Sequence, residues 1–552
     1  MIETNVLIAG GGPVGLTLAM DLAGRSVDVT VLELRAPGEP PAVKCNQISA
    51  RSMEIFRRIG VAGKLRAAGL PSDYVNDVVS ATTVTGIELS RLSIPSPSGR
   101  KRGEKGVDAW WPTPEPSHRI NQIYLEPVLF AHAKAQPRIR ILNRTAFDDF
   151  SQDENGVTAT ARDLDSGETL TIKCRYLVGC EGSRSGIRKM IGGNFVGTPE
   201  VQRVQSTYIH APGLMGLLPG KPAWLYFSLN PRRCGTTIAI DGKANWNIHN
   251  PLYPGEEFGS VDRAKAIRDI LGVGPDFQFS INSQEDWVGR RFVADKFQDR
   301  RVFICGDAAH LWMPNGGYGM NAGIADAADL AWMIAATLDG WADPELLDAY
   351  HAERQPIMDQ VSHVTTDMAY KVMKQRRDVP ADVEMPGPEG DAARGRVGHV
   401  AHDIDMQQQC AGGLNFGYYY AGSPIIAYDG EAPPGYSMHD FTPSTVPGCR
   451  APHVWLADGR SLYDALGPYY TLIRTDPAVD VAGLVAAAAK RGMPLTLLDI
   501  DAPEAHTLYA RRLTLVRPDQ HVAWRGDAGP AAALALIDLV RGAGRTGTCG
   551  GN

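Results

Sequence analysis

The sequence predicts an α/β protein. A Rossmann-like domain is interrupted by an inserted, mainly antiparallel sheet and followed by a smaller α/β domain. Three observations carry that prediction. An apolar run, a glycine-rich turn and a helical stretch open the chain and lead into a second apolar run. Residues 191–288 turn to alternating apolar and polar positions, the period of half-buried strands. From about Ala451 a strand–helix alternation resumes. A chain of 552 residues is long enough for two or three domains, and 44% hydrophobic with 21% charged residues is ordinary globular composition. A formal net charge of −7 without a long basic run argues against nucleic acid or an anionic membrane as partner. No apolar stretch has the length of a bilayer span, and Glu3 stands where a secretory signal carries positive charge. The eight cysteines form no CxxC pair and no ligand-like spacing, which predicts reduced thiols, a cytoplasmic setting and no metal site.

The first element is Asn5 to Ala9, a short buried parallel strand. Gly10-Gly11-Gly12-Pro13-Val14-Gly15 follows and fits G-x-G-x-x-G; Leu16 to Ala23 is helical, with Gly24 as its stop. Val27 to Leu32 is the second strand, closed by Glu33 and followed by Leu34 and Arg35. Each part has a physical role in holding a dinucleotide. Gly10 permits the turn, Gly12 lets backbone approach a pyrophosphate, and Gly15 allows close helix–strand packing. The helix start offers unpaired N–H groups and the positive end of its dipole. Glu33 can accept hydrogen bonds from ribose hydroxyls, which disfavours a 2′-phosphate there.

Two later segments extend the pattern. Tyr176 to Val178, then Gly179-Cys180-Glu181-Gly182, reads as a strand and glycine turn before a helix. Arg301 to Cys305 is a buried strand ending in Gly306-Asp307; Pro314-Asn315-Gly316-Gly317-Tyr318-Gly319-Met320-Asn321 then precedes a helix from Ala322 to about Leu338. With these three motifs in order, the sequence resembles the class A flavoprotein aromatic hydroxylases, the group of para-hydroxybenzoate and phenol hydroxylases, and is most similar to the phenol and chlorophenol hydroxylase branch. The resemblance spans nearly the whole chain. It implies that Gly10, Gly12, Pro13, Val14, Gly15, Glu33, Leu34 and Arg35 hold the ADP half of FAD, and that Asp307 bonds the ribityl chain. Pro314, Gly317, Gly319, Met320 and Asn321 would lie against the flavin ring, with a helix N-terminus directed at its pyrimidine edge. Arg51 and Gln122 would also contact FAD. Two positions depart from the family pattern: Glu181-Gly182 replaces Asp-Gly, and Lys44 replaces an arginine tied to flavin movement and NADPH handling, leaving NADH or NADPH open.

The resemblance further implies that the inserted sheet, with parts of 75–120, covers the flavin and forms the substrate pocket, for which Trp224, Tyr226, Trp246 and Trp287 are the candidate walls. The chemistry it implies takes electrons from NAD(P)H, forms a flavin C4a-hydroperoxide from O2 in a dry site, and hydroxylates a phenolic or other aromatic ring. A general base would serve the phenol proton. Asn46, at the position where the resemblance implies an acidic residue or histidine, and Gln47 nearby can only hydrogen-bond; Asp286, His210, His249 and Tyr318 are the titratable alternatives. The FAD domain is expected over 1–190 and 289–377, the substrate sheet over 191–288, a Pro- and Gly-rich linker or excursion over 378–450, a thioredoxin-like domain over 451–541 and a tail over 542–552. The C-terminal domain has no CxxC and reads as structural, with a homodimer as the expected assembly. The alternative functions are a tailoring oxygenase of the same scaffold, performing Baeyer–Villiger insertion, epoxidation or ring opening on a polycyclic natural product, and, more remotely, a non-catalytic flavin-binding protein.

Overall fold

The structure is a computed structural model that describes residues 1–545. Its central sheet runs Gln298–Asp299, Val302–Ile304, Tyr176–Gly179, Val6–Ala9, Val29–Glu33 and Ile139–Asn143 in spatial order. All neighbours are parallel except the edge pair Gln298–Asp299 with Val302–Ile304. Val6–Ala9 and Val29–Glu33 are buried at every residue, as expected of parallel strands covered on both faces. Helices Pro13–Gly24 and Tyr318–Leu338 pack together over this sheet. The three sequence motifs therefore leave the carboxyl ends of neighbouring strands, the edge where open α/β sheets bind ligands.

The inserted sheet has eight strands: His310–Leu311, Ser280–Ala294, Phe195–His210, Asn245–Pro251, Gly235–Ala239, Leu225–Ser228, Val78–Ala81 and Glu88–Leu92. It is antiparallel except where Leu225–Ser228 runs parallel to Val78–Ala81. Its second face packs on helix Arg263–Leu271 through Ile267, Ile270 and Leu271. A four-stranded sheet of Ile2–Glu3, Thr169–Cys174, Val157–Asp163 and Thr145–Gln152 flanks the first domain.

Part of the segment 378–450 is helical rather than the linker or excursion that its composition suggests. Pro388–Gln409 is a 22-residue helix lying on the strand Glu88–Leu92, so close that a Cβ at Gly398 would meet the Leu89 carbonyl oxygen at 2.3 Å. Its buried positions, Gly390, Ala393, Gly398, Ala401, Ile404, Asp405, Gln408 and Gln409, keep helical spacing, but small and polar residues fill most of them. The periodicity is present; the hydrophobicity that announces it is not.

The C-terminal domain has a four-stranded sheet in the order Leu495–Asp499, Tyr470–Arg474, Leu513–Val516, Val522–Gly526, with the first pair parallel and the rest antiparallel. Helices Ala482–Lys490 and Ala533–Val540 complete the thioredoxin-like βαβ–ββα order. Of the expected tail, Ala543–Arg545 forms a short 3-10 turn, and residues 546–552 lie outside the described residues. Among the described residues, no helix is long and apolar enough to cross a membrane.

Candidate active site

The glycine motif forms as its chemistry requires. Gly10 has φ +107°, and a Cβ there would meet the Cys180 carbonyl oxygen at 2.3 Å; one at Gly15 would lie 2.0 Å from the Gly10 oxygen. Gly12 faces open space with nothing within 4 Å, and the helix that it begins has no side-chain cap. Free N–H groups beside open space are what a pyrophosphate needs. Glu33 is buried and accepts from the Gly11 N–H (3.0 Å) and from the Arg35 backbone N–H (2.9 Å) and Nε (3.0 Å), while Arg35 also reaches Glu126 at 2.6 Å. Leu34 is exposed beside them. Val14 links this motif to the next: a Cβ at Gly306 would come within 3.0 Å of its side chain.

A cavity of about 740 Å³ opens between the central domain and the inserted sheet. One side is formed by Lys44, Asn46 and Gln47, by Asp307, and by the turn containing Pro314, Gly317, Gly319 and Met320. Gly316 (φ +72°) and Gly317 (φ +75°) are left-handed, so the helix Tyr318–Leu338 begins bare, without a side-chain cap. Asn321 fastens the turn to the 46–52 segment: its Oδ1 accepts from the Ser49 N–H (2.8 Å), and its Nδ2 donates to the Gly317 carbonyl (2.6 Å). The Gln47 amide donates to the Gly316 carbonyl, and Asn46 accepts from Asn121 at 2.6 Å. Asp307 is exposed to the cavity, and desolvation pushes its carboxyl up against the opposing influence of His310 and Lys44. His310 lines the cavity stacked on Trp312 at 4.6 Å; its Nε2 is held by Asp326 (2.7 Å), which Arg354 holds in turn (2.8 Å).

The opposite side is the inserted sheet, and its register decides which residues face inward. Glu285, Ser206, His249, Thr236 and Phe227 stand in one row across five strands, and all line the cavity; Trp287, Val204 and Pro251 form the next row on the same face. Trp224, just before its strand, also lines the cavity, with the Arg119 guanidinium stacked on its ring at 4.2 Å. Tyr226 and Trp246 do not. Tyr226 lies between the inward-facing Leu225 and Phe227, and Trp246 has the opposite parity to His249, so both enter the core beneath the sheet.

Four further sequence-expected residues lie outside the cavity lining. The Arg51 guanidinium turns to the C-terminal domain, donating to the Asp519 carbonyl (2.6 Å) and to Gln520. Gln122 donates to Glu126 (2.6 Å) outside the cavity lining. Glu181 folds back to accept from Ser185 Oγ (2.6 Å) and the Gly186 N–H (3.2 Å), capping the helix Gly186–Met190, a reach its extra methylene allows; Gly182 (φ +79°) supplies the turn. Of the titratable alternatives, His249 and Asp286 line the cavity. His210 stands exposed at a strand end beside Asn245, and Tyr318 is buried against Asn415 Nδ2 at 3.0 Å. Burial, and then the Arg376 cation, holds His249 down to about 4, while Asp286 pairs with Arg263 at 2.5 Å. Arg376, Gln408, Gln409 and Trp312 line the cavity without any sequence signal having marked them; they come from the ends of two helices and a loop that carry no motif.

Phosphate-ready backbone at the carboxyl edge of a parallel sheet, leading to a cavity beneath a bare helix start, defines a protein that holds a dinucleotide and presents its reactive ring to an enclosed substrate. The chain matches the FAD binding domain family model over residues 3–365 and the model described as aromatic-ring hydroxylase, C-terminal, over 444–541, and it belongs to this family of FAD-dependent aromatic monooxygenases. It is 30% identical to the FAD-dependent monooxygenase apdD of Emericella nidulans, over 95% of this chain and 88% of that protein. It is 31% identical to the tetracenomycin B2 monooxygenase-dioxygenase of Streptomyces olivaceus, over 98% of both. Among solved structures, the rebeccamycin biosynthetic enzyme RebC with reduced flavin superposes at a TM-score of 0.89 with 35% identity, covering 98% of this chain and 99% of that one.

Proposed function

We propose that this protein is a single-component monooxygenase that uses NAD(P)H and O2 to place one oxygen atom on a polycyclic aromatic substrate. One observation carries the reading. A single cavity of about 740 Å³ runs from the turn Pro314–Met320, where the flavin ring would lie, to a broad sheet wall bearing Trp224, Phe227 and Trp287, a surface suited to a flat, multi-ring substrate held beside that ring. Bound FAD would supply the oxygen activation. Gly12 and the helix start behind it would hold the pyrophosphate, Glu33 the ribose and Asp307 the ribityl chain; Gly317 and the first turn after it would face the ring. The aromatic walls exclude water and stack on a flat substrate. RebC-10x has been solved with K252c bound, and the Streptomyces olivaceus relative is named for tetracenomycin B2.

Nearest the turn, the cavity offers amides, Asn46 and Gln47, and the neutral His249 lies across it. These groups orient a hydroxyl or carbonyl and do not remove a proton at neutral pH. The same feature favours a second reading, in which the oxygen enters by Baeyer–Villiger insertion or epoxidation, reactions that need no phenolate. The test is NAD(P)H oxidation and oxygen uptake by the FAD-loaded protein across phenols and polycyclic aromatics, with product mass and ring count. A gain of one oxygen with rings intact supports hydroxylation. A gain with a broken or expanded ring selects the second reading. No acceleration by any aromatic overturns both.

A further inference from the structure

Most charged side chains lining the cavity are accounted for. Lys44 pairs with Glu285 at 2.8 Å and Asp286 with Arg263 at 2.5 Å. Arg184 and Arg290 are exposed, and Asp307 lies on the side of the ring-binding turn. Arg376 is different. It stands in the last turn of the helix Asp348–Arg377, with Val372 and Ala369 of the same helix also lining the cavity. Its Nη2 donates to Thr236 Oγ1 at 2.8 Å, and among the described residues it forms no ion pair with a carboxylate. Desolvation lowers its pKa against the opposing influence of Cys234 and Tyr253. The helix C-terminus offsets part of that cost, as it does for any basic residue in a last turn. It does not account for aiming the guanidinium at the inward row of the sheet, where Thr236 and His249 are direct cross-strand neighbours.

A second observation is independent of Arg376. Gln408 and Gln409, from the end of the helix Pro388–Gln409, line the same cavity at 3% and 8% exposure. Among the described residues, Gln408 Nε2 and Gln409 Oε1 have no hydrogen-bond partner. Unpaired buried amides are costly in a folded chain and are satisfied where a polar ligand completes them.

We infer that Arg376 is the specificity residue of the cavity and that it pairs with an anionic oxygen group borne by the aromatic substrate, a carboxylate or an ionised phenol, with Gln408 and Gln409 meeting the substrate's neutral polar atoms. The inference rests on the aromatic-substrate reading above and names the substrate class within it. A guanidinium spends one edge on Thr236 and keeps N–H groups free for a planar oxyanion, to which it can bond in bidentate fashion. His249, held neutral by burial and by Arg376, adds a hydrogen-bonding group without competing charge.

The experiment measures equilibrium binding to the FAD-loaded protein, read from flavin absorbance and from quenching of tryptophan fluorescence, since Trp224, Trp287 and Trp312 line the cavity. The probes are anthraquinone-2-carboxylate, its uncharged carboxamide and 2-hydroxyanthraquinone, whose phenolate absorbs at longer wavelength than the phenol. The wild type is expected to prefer the carboxylate over the carboxamide by about tenfold or more, the scale of one charge-assisted hydrogen-bonded pair. Arg376→Met should erase that preference while leaving carboxamide affinity within about twofold, and Arg376→Lys should restore part of it. If the phenol is the group recognised, the hydroxyl probe binds as its phenolate in the wild type and as the neutral phenol in Arg376→Met. Equal affinity for all three probes, or a preference that survives Arg376→Met, overturns the inference. Binding is read without turnover. Charge preference without oxygenation of any aromatic would therefore remove the monooxygenase reading alone, and oxygenation without charge preference would remove this one alone.

Discussion

Replacing Arg517 by methionine isolates what joins the FAD domain to the C-terminal domain. The side chain has 0% exposure and lies among three carboxylates. It donates to both Glu353 oxygens (2.5 and 2.8 Å), both Asp519 oxygens (3.1 and 2.8 Å) and Asp329 Oδ1 (3.2 Å). Glu353 belongs to the helix Asp348–Arg377, Asp329 to the helix Tyr318–Leu338, and Asp519 to the turn between the last two strands of the C-terminal sheet. One guanidinium thus ties two helices of the FAD domain to the other domain. These three acids come close enough together to resemble a metal site, and Arg517 bridges them. Its charge holds Asp519 well below the usual carboxylate range, while burial and the neighbouring Asp519 and Glu353 push Asp329 well above it. Methionine keeps an apolar side chain but removes the guanidinium, which lies over the Trp332 and Tyr420 rings, and leaves the acids uncompensated. Breaking a buried pair from one side costs about 3–5 kcal/mol, roughly a 10²- to 10⁴-fold change in the docking equilibrium. The assay is urea unfolding, with limited proteolysis to detect release of the C-terminal domain. Arg517→Met should lower the first midpoint, and adding Glu353→Gln should recover part of the loss by removing one orphaned charge. A variant that unfolds within about 0.5 kcal/mol of wild type would refute the argument, because that is the range of an ordinary surface change.

Three further outcomes follow from particular contacts. Asp405, 2% exposed and bonded to Ser80 Oγ at 2.9 Å, is pushed up to about 7 by burial. Its folded pKa lies above the unfolded value, so the folded state holds the extra proton between about pH 4 and 7. Stability is highest below that window and falls through it by up to about 4 kcal/mol. Asp405→Asn should flatten the dependence and raise the urea midpoint at pH 8; an unchanged slope sinks the assignment. Gly15→Ala, whose Cβ would lie 2.0 Å from the Gly10 oxygen, should abolish FAD retention through desalting, whereas Gly24→Ala, with nothing within 4 Å, should retain it. Trp246→Ala should cost about 3–5 kcal/mol of stability and leave probe affinities alone, while Trp287→Ala should do the reverse. The opposite pattern would mean that the sheet register has been misread.

The parts of this molecule legible in its sequence are those where backbone geometry leaves residue types no choice. Gly10 and Gly15 are fixed by carbonyl oxygens that would collide with any Cβ, so the dinucleotide edge can be read residue by residue. The thioredoxin-like domain is legible because its strands and helices, such as Tyr470–Arg474, Ala482–Lys490 and Leu495–Asp499, are short, apolar and separated by turns. The substrate wall is harder, because an aromatic residue in a strand points either way and only pairing sets its face. Trp287 and Trp246 look alike in sequence and differ by the register with Val204 and Ile209. The helix Pro388–Gln409 hides for another reason. It must cross a strand closely enough for Gly398 to touch the Leu89 backbone, which demands small residues, and it must end at a polar cavity, which demands Gln408 and Gln409. Both demands remove the apolar stripe by which an amphipathic helix is recognised. The residues that set what this enzyme binds are therefore hidden for the reason that makes them useful: they are polar groups on elements whose packing is done by glycine and alanine, and only the fold shows that they converge.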